Sequence, residues 1–363
     1  MKDFFSKHIF ATFLAVILCV IVVLPRIVSA HEIYVLYPDE ISKALGTHSF
    51  NMLDVLRSNL TRFIFYAFLG ILTVIFIFFI STIRFLERKL DSFLEKIRIY
   101  APLIARVTVG LSFLAAAYYQ ATYGPELPIA DIYGRLSGIV TIILLIIGTL
   151  IIIGLFTRTA AFVALCMYSI AVHFHGIYML TYINYFGEII VLLFLGGHNF
   201  SLDKYIESKS TGTIKRKNTL FSHWWKKICD FITPRSFAIM RVFFGISLIY
   251  ASVYAKVIYN NLALFTVYKY HLDMIFHQEA HFLVLGAAII ELLIGLFFIL
   301  GIEIRFTAFF LLCFLTASLL FFGEVVWPHI ILIGLPIAFI FYGYDKYSLE
   351  GYFFRKKRYE PIL

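Results

Sequence analysis

Apolar residues fall along this chain in nine long runs separated by polar breaks. The runs cover residues 61–83, 102–120, 137–155, 160–176, 182–197, 238–256, 282–301, 306–323 and 328–343. A helix needs about 20 such residues to cross a bilayer, so each run reads as one span. The expected fold class is all-α: a polytopic membrane protein of about nine transmembrane helices after signal removal, a leading helix followed by two four-helix repeats.

The two sets of four resemble each other residue by residue. Gly148, Gly154, Arg158, Ala161, Phe162, Leu165 and Cys166 recur 147 positions later as Gly295, Gly301, Arg305, Ala308, Phe309, Leu312 and Cys313. Gly176 matches Gly323, and Ser201-Leu202 matches Ser348-Leu349, at the same offset. Upstream, Arg106-Val107, Gly110 and Ser112 match Arg241-Val242, Gly245 and Ser247 at an offset of 135, so the loop after each first helix absorbs the difference. An even number of spans per repeat makes the copies parallel, and sites in such proteins lie near the repeat interface.

Residues 1–30 read as a signal peptide, with Lys2 and Lys7 ahead of an apolar stretch and Val28-Ser29-Ala30 as the cleavage site. The alternative is an uncleaved anchor. Beyond it the pattern divides the chain into an outer-face N-terminal segment (31–60), the leading helix (61–83) and a first unit (84–205). A cytoplasmic linker (206–220), a second unit (221–351) and a basic cytoplasmic tail (352–363) follow. Leu86, Leu90, Phe93, Leu94 and Ile97 before the first unit, and Phe221, Trp224, Trp225 and Ile228 before the second, predict amphipathic helices in the headgroup layer.

Composition agrees: 61% hydrophobic and 15% charged residues exclude an ordinary soluble globule. The net charge of +9 is explained by topology and not by nucleic acid. Twenty Lys and Arg fall on the segments assigned to the cytoplasm, against six on the other side, Lys43, Arg57, Arg62, Arg135, Lys256 and Lys269. Basic residues stay cytoplasmic, so the expected placement is a bacterial-type inner membrane, mature N-terminus outside and C-terminus inside. Four cysteines, two of them in spans, do not form a disulfide framework. Cys166 and Cys313, equivalent in the two copies, read as buried apolar fillers, with a thiol pair across the repeat axis as the alternative.

Each unit opens with Arg-Val-x-x-Gly, turns with Gly-x-x-x-Arg and ends with Gly and Ser-Leu-Asp or Ser-Leu-Glu. In this it resembles the DoxX-like four-helix membrane proteins, in tandem duplicate over about residues 100–351. The second copy is the better match, keeping Lys256 and Glu291 where the first has Ala121 and Leu144. The resemblance implies a membrane component of a redox or quinone-linked system, with quinone as the possible cofactor and a redox subunit as the possible partner.

Among candidate residues Glu291 comes first. A carboxylate deep in a span costs roughly +2.5 to +3.5 kcal/mol unless paired or protonated, so it should face the bundle interior. It reads either as a proton-exchanging or ligand-binding group or as an ion-paired lock, with Lys256 as its partner. His281, His329 and Glu324 are expected to border the same cavity, with Trp327 at its mouth. The segment 257–281 between spans adds His271, His277 and Glu279, and its tyrosines read as an interfacial belt. A second cluster joins His173, His175, Tyr178 and Glu188. It is metal-compatible in type, but two histidines two residues apart diverge on a helix. It reads instead as interfacial hydrogen bonding or a polar headgroup site. Arg106, Arg158, Arg241 and Arg305 read as structural, anchoring to phosphates or capping helix carbonyls. His31, the N-terminus left by cleavage, is a weak copper-chelating candidate with His48.

No phosphate loop, Cys-x-x-Cys or haem-attachment motif is present in the chain, which disfavours a stand-alone enzyme. The expected role is a membrane component that binds a small lipophilic molecule or anchors a redox partner. A carrier of a small solute or metal ion using the repeat interface is the alternative, and a structural assembly subunit a third.

Overall fold

Helices form where the apolar runs predict them. The computed structural model describes residues 36, 38–209, 220–323 and 327–354. The expected signal 1–30 with His31, the middle of the linker, Glu324 and most of the tail lie outside the described residues. Two short helices, α1 (Pro38–Gly46) and α2 (Met52–Asn59), precede the long α3 (Phe63–Ile97). The first unit consists of α4 (Ala101–Tyr119), the short α5 (Ile129–Tyr133), α6 (Ser137–Ile153), α7 (Thr157–His175) and α8 (Ile183–Leu195). Between units lie α9 (Leu202–Lys209) and α10 (Leu220–Ile232). The second unit consists of α11 (Ser236–Val253), α12 (Asn261–Lys269), α13 (Leu272–Phe276), α14 (Ala280–Leu300), α15 (Ile304–Phe322) and α16 (His329–Tyr342), and α17 (Leu349–Phe354) follows. No strand occurs among the described residues.

The chain is thus an all-α polytopic membrane protein. Seven helical stretches of the described residues are long and apolar enough to cross a membrane. Each of the nine expected runs contains a helix, but length and composition count seven spans for a physical reason. Helices α7 and α8 join through the 3-10 turn Gly176–Tyr182 into one long stretch, and α16, interrupted by Pro336, has only 14 residues.

The sequence repeat is a structural repeat. Gly110 packs on the backbone of Gly148 where α4 crosses α6, and Gly245 packs on Gly295 where α11 crosses α14. At one end of the bundle, Gly154 closes on Arg106 and Ser201 as Gly301 closes on Arg241 and Ser348. Asp203 accepts from the amides of Phe156 (2.8 Å) and Thr157 (3.1 Å) at the start of α7. Glu350 does the same for Ile304 (3.0 Å) at the start of α15. The units also exchange partners: α8 packs along α11, and α16 along α4, more extensively than either packs on the first helix of its own unit. Both crossings are glycine contacts, Gly187 against Phe243 and Gly334 against Thr108. Four helices, α4, α8, α11 and α16, therefore form the contact between the halves.

These close crossings give a stability prediction. A Cβ at Gly245 would sit 2.5 Å from the Gly295 carbonyl oxygen. Gly245→Ala should therefore lose about 1–3 kcal/mol, the usual cost of overpacking. Gly138→Ala, where a Cβ meets nothing within 4 Å, should be neutral or stabilising by up to about 1 kcal/mol. Unfolding midpoints in detergent compare the two; equal midpoints would contradict the crossing.

The first expected span needs correction. It does not end at 83 but continues as one 35-residue helix through the amphipathic stretch, because no Gly or Pro interrupts Ile71–Ile97. Helix α3 packs on α15 and α16 of the second unit. Phe76 meets Phe297, Phe306 and Phe310, and lower down Arg84 pairs with Glu303 while Glu87 pairs with Arg305 at 3.1 Å. Phe156, the counterpart of Glu303, is exposed. The expected linker is shorter too, since α9 runs to Lys209 and α10 begins at Leu220.

The N-terminal segment, for which sequence suggested no structure, folds onto the second unit. Asn261 donates to the carbonyls of Thr47 (3.0 Å) and His48 (3.1 Å), and Asn260 holds Phe50 through both its amide and its carbonyl. Lys269 pairs with Glu40 at 2.7 Å and Arg62 with Glu279 at 2.8 Å. Cys166 and Cys313 are free and exposed on α7 and α15, not buried, so they neither fill a core nor pair across the axis.

Candidate functional site

Two buried polar sites emerge, one in each unit. In the second, α11 ends in a π-helical turn, Tyr254–Ile258, closed by the Tyr259 amide on the Tyr254 carbonyl at 2.9 Å. A π turn inserts an extra residue into the helix, and such turns mark functional sites often enough to be noted. Here it turns Lys256 inward, where it is 5% exposed. Glu291 stands in the middle of α14, eleven residues from Ala280, or about 16 Å along the helix. Lys256 Nζ and Glu291 Oε2 are 2.9 Å apart, the lysine side chain 6% and the glutamate 24% exposed. Ion pairing removes most of the cost of either charge in hydrocarbon. Ala121 and Leu144, the first unit's counterparts, are both buried in its apolar core.

The other residues expected around this pair are held elsewhere. His281 lies ten residues before Glu291, about 15 Å along α14, and its ring meets Phe50 edge-on at 4.6 Å. His329 is buried at the start of α16, and its neighbour Trp327 packs into the core of the first unit. Glu324 is outside the described residues. His281 is thus placed away from the Lys256–Glu291 pair, and His329 begins a helix, α16, that packs along α4 of the other unit.

The second cluster is also redistributed. His173 is exposed and His175 half-buried, its Nε2 without a partner. Tyr178 instead donates to Glu126 Oε1 at 2.9 Å, and Tyr182 donates to the same oxygen. No three His, Cys, Asp or Glu gather as metal ligands among the described residues. Glu188 is 1% exposed, and neither of its carboxylate oxygens has a hydrogen-bond partner. It lines a small, partly open space of about 20 Å³ between α4, α8 and α11, room for roughly one water, together with Arg106, His198 and Ser236.

Sequence reasoning missed Glu126, Tyr123 and Tyr185. Tyr123 and Tyr185 are nearly inaccessible and their rings lie 5.0 Å apart, Tyr123 also meeting Tyr168 at 5.4 Å. Burial among these phenols pushes the Tyr123 hydroxyl well above its usual range. A signal was present: Tyr178, Tyr182 and Tyr185 recur at spacings of four and three, a helical stripe ending one turn before Glu188.

The four repeated arginines serve backbone carbonyls. Arg106 donates to Gly197 and Phe200, and Arg241 to Phe298, Ile299 and Tyr347. Arg158 donates to Phe194 at 3.1 Å and Arg305 to Ile340 at 2.9 Å. Beside Arg106, burial and the charges of Lys204 and Arg106 hold the His198 ring below its ordinary value. Burial raises the Asp345 carboxyl near Arg241, whose charge opposes the shift.

Comparison of the chain with family models, with curated proteins and with solved structures returned no match to any of them.

Proposed function

We propose that this is a DoxX-like tandem duplicate of a bacterial-type inner membrane, mature N-terminus outside and C-terminus in the cytoplasm. In this reading it is a membrane component of a redox or quinone-linked system, and its second unit takes a small lipophilic molecule. The observation that carries the binding part is the Lys256–Glu291 pair. It sits at mid-helix depth with one partner a quarter exposed on the side of α14, so a ligand can reach it laterally from hydrocarbon. An ammonium group there can donate to a quinone-type carbonyl, and the apolar surround suits the ligand's ring and tail. The redox part rests on the Arg-Val-x-x-Gly and Gly-x-x-x-Arg resemblance.

The test is native mass spectrometry of the detergent-purified chain beside Lys256→Met. A quinone-sized adduct on the wild type that is lost in the variant supports the reading. No adduct on either protein, or an equal adduct on both, overturns it.

A second reading, a carrier working at the repeat interface, is favoured by one observation: the unpartnered Glu188 lies where α8 meets α4 and α11.

A further inference from the structure

Glu188 is the least explained group in the molecule. A buried carboxylate without partners is expensive in a low-dielectric interior unless a proton neutralises it. The fold does not require it, because the second unit has Leu335 at the equivalent position and Leu332 in place of Tyr185, both buried. Tyr185, one turn before it on α8, links it to a cluster of buried hydroxyls. Tyr123 OH and one oxygen of Glu126 are buried without a hydrogen-bond partner, and Tyr185 faces Ser112 of α4. Tyr185 lies within electrostatic reach of both Glu188 and Glu126. From the half-exposed Glu126 the hydrogen bond to Tyr182 leads inward. The rings of Tyr182, Tyr123 and Tyr185 then follow at 6.4 and 5.0 Å. On the far side of Glu188, the small cavity leads along α8 towards Arg106 and His198.

We propose that the first unit contains a proton path, in which Glu188 is an internal proton-binding site loaded through Glu126, Tyr182, Tyr123 and Tyr185. A proton arriving on Glu126 is passed to the Tyr182 oxygen as that hydroxyl gives up its own proton inward. Tyr123 and Tyr185 repeat the exchange, and Tyr185 delivers to Glu188, turning carboxylate into carboxylic acid. Each tyrosine ends neutral, and one proton has moved. Transfer between the rings, whose centroids are 6.4 and 5.0 Å apart, requires their hydroxyls to turn toward one another, and the reverse sequence unloads the site. The other polar side chains lining the space beside Glu188 are Arg106 on α4, Ser236 on α11, and His198 beyond the end of α8. This path is independent of the ligand reading at Lys256.

Infrared spectra of the full chain, transferred from H2O to D2O, test the path. Wild type should show the carbonyl stretch of an internal carboxylic acid that shifts on deuteration and is missing in Glu188→Gln. Tyr185→Phe should slow that shift by about tenfold or more, as the loss of a positioned proton-transfer group does. Glu126→Gln, a change at the half-exposed mouth, should slow it in the same direction and serves if Tyr185→Phe does not fold. Absence of a Glu188-dependent band, or deuteration at the wild-type rate in these variants, overturns the proposal.

Discussion

Lys256→Met should lower the stability of the detergent-solubilised chain by about 3–5 kcal/mol, the cost of leaving one member of a buried ion pair alone. The Glu291 side chain is three-quarters buried in the middle of α14, and the lysine lies 2.9 Å from it. Removing the ammonium leaves that carboxylate among apolar side chains. Glu291→Leu, which leaves the charge on Lys256, should be destabilising in the same way. The double variant should recover much of the loss, because two well-packed apolar side chains replace a pair at roughly no cost or even a gain. The first unit already works this way, with Ala121 and Leu144 in these places. A double-mutant cycle from unfolding midpoints measures the coupling. Additive losses would mean that the two groups do not act as a pair.

Arg241→Met should cost about as much, roughly 3–5 kcal/mol, for a different reason. Arg241 is 2% exposed, and its guanidinium donates to the carbonyls of Phe298, Ile299 and Tyr347. The first two lie at the end of α14, where Phe298 also accepts from the Gly301 amide, and the third belongs to the segment that returns after α16. One planar group thus ties the end of α14 and the segment after α16 to the unit's first helix. Arg241→Lys should restore only part of the loss, since one ammonium does not reproduce the fork of donors. Arg106→Met should show a similar loss, through Gly197 and Phe200. A loss below about 1 kcal/mol in both variants would show that water serves these carbonyls equally well.

Much of this architecture was readable from the chain. The spans beginning at 102 and 137 match α4 and α6 to within two residues, since a long apolar run in a bilayer has no alternative to a helix. The repeated glycines and arginines were readable as a duplication, and the structure gives Gly110 and Gly148 the same close crossing as Gly245 and Gly295. The pairing of Lys256 with Glu291 was readable from depth and charge. The surroundings of His281 and His329 were not, because they depend on α1–α2 folding back and on α16 crossing to the other unit. Glu126 was overlooked because it lies in a polar break between spans, where nothing local distinguishes it from an ordinary turn.

By itself the amino-acid order determined which segments are helical, that they lie in a membrane, and that the second half repeats the first. Those properties follow from local hydrophobicity and from like residues making like contacts. Only the tertiary structure decided which fourth helix packs on which first helix, since apolar surfaces in lipid attract without direction and close fit at Gly187 and Gly334 settles the choice. That choice places Glu188 where α8, α4 and α11 meet, between the halves.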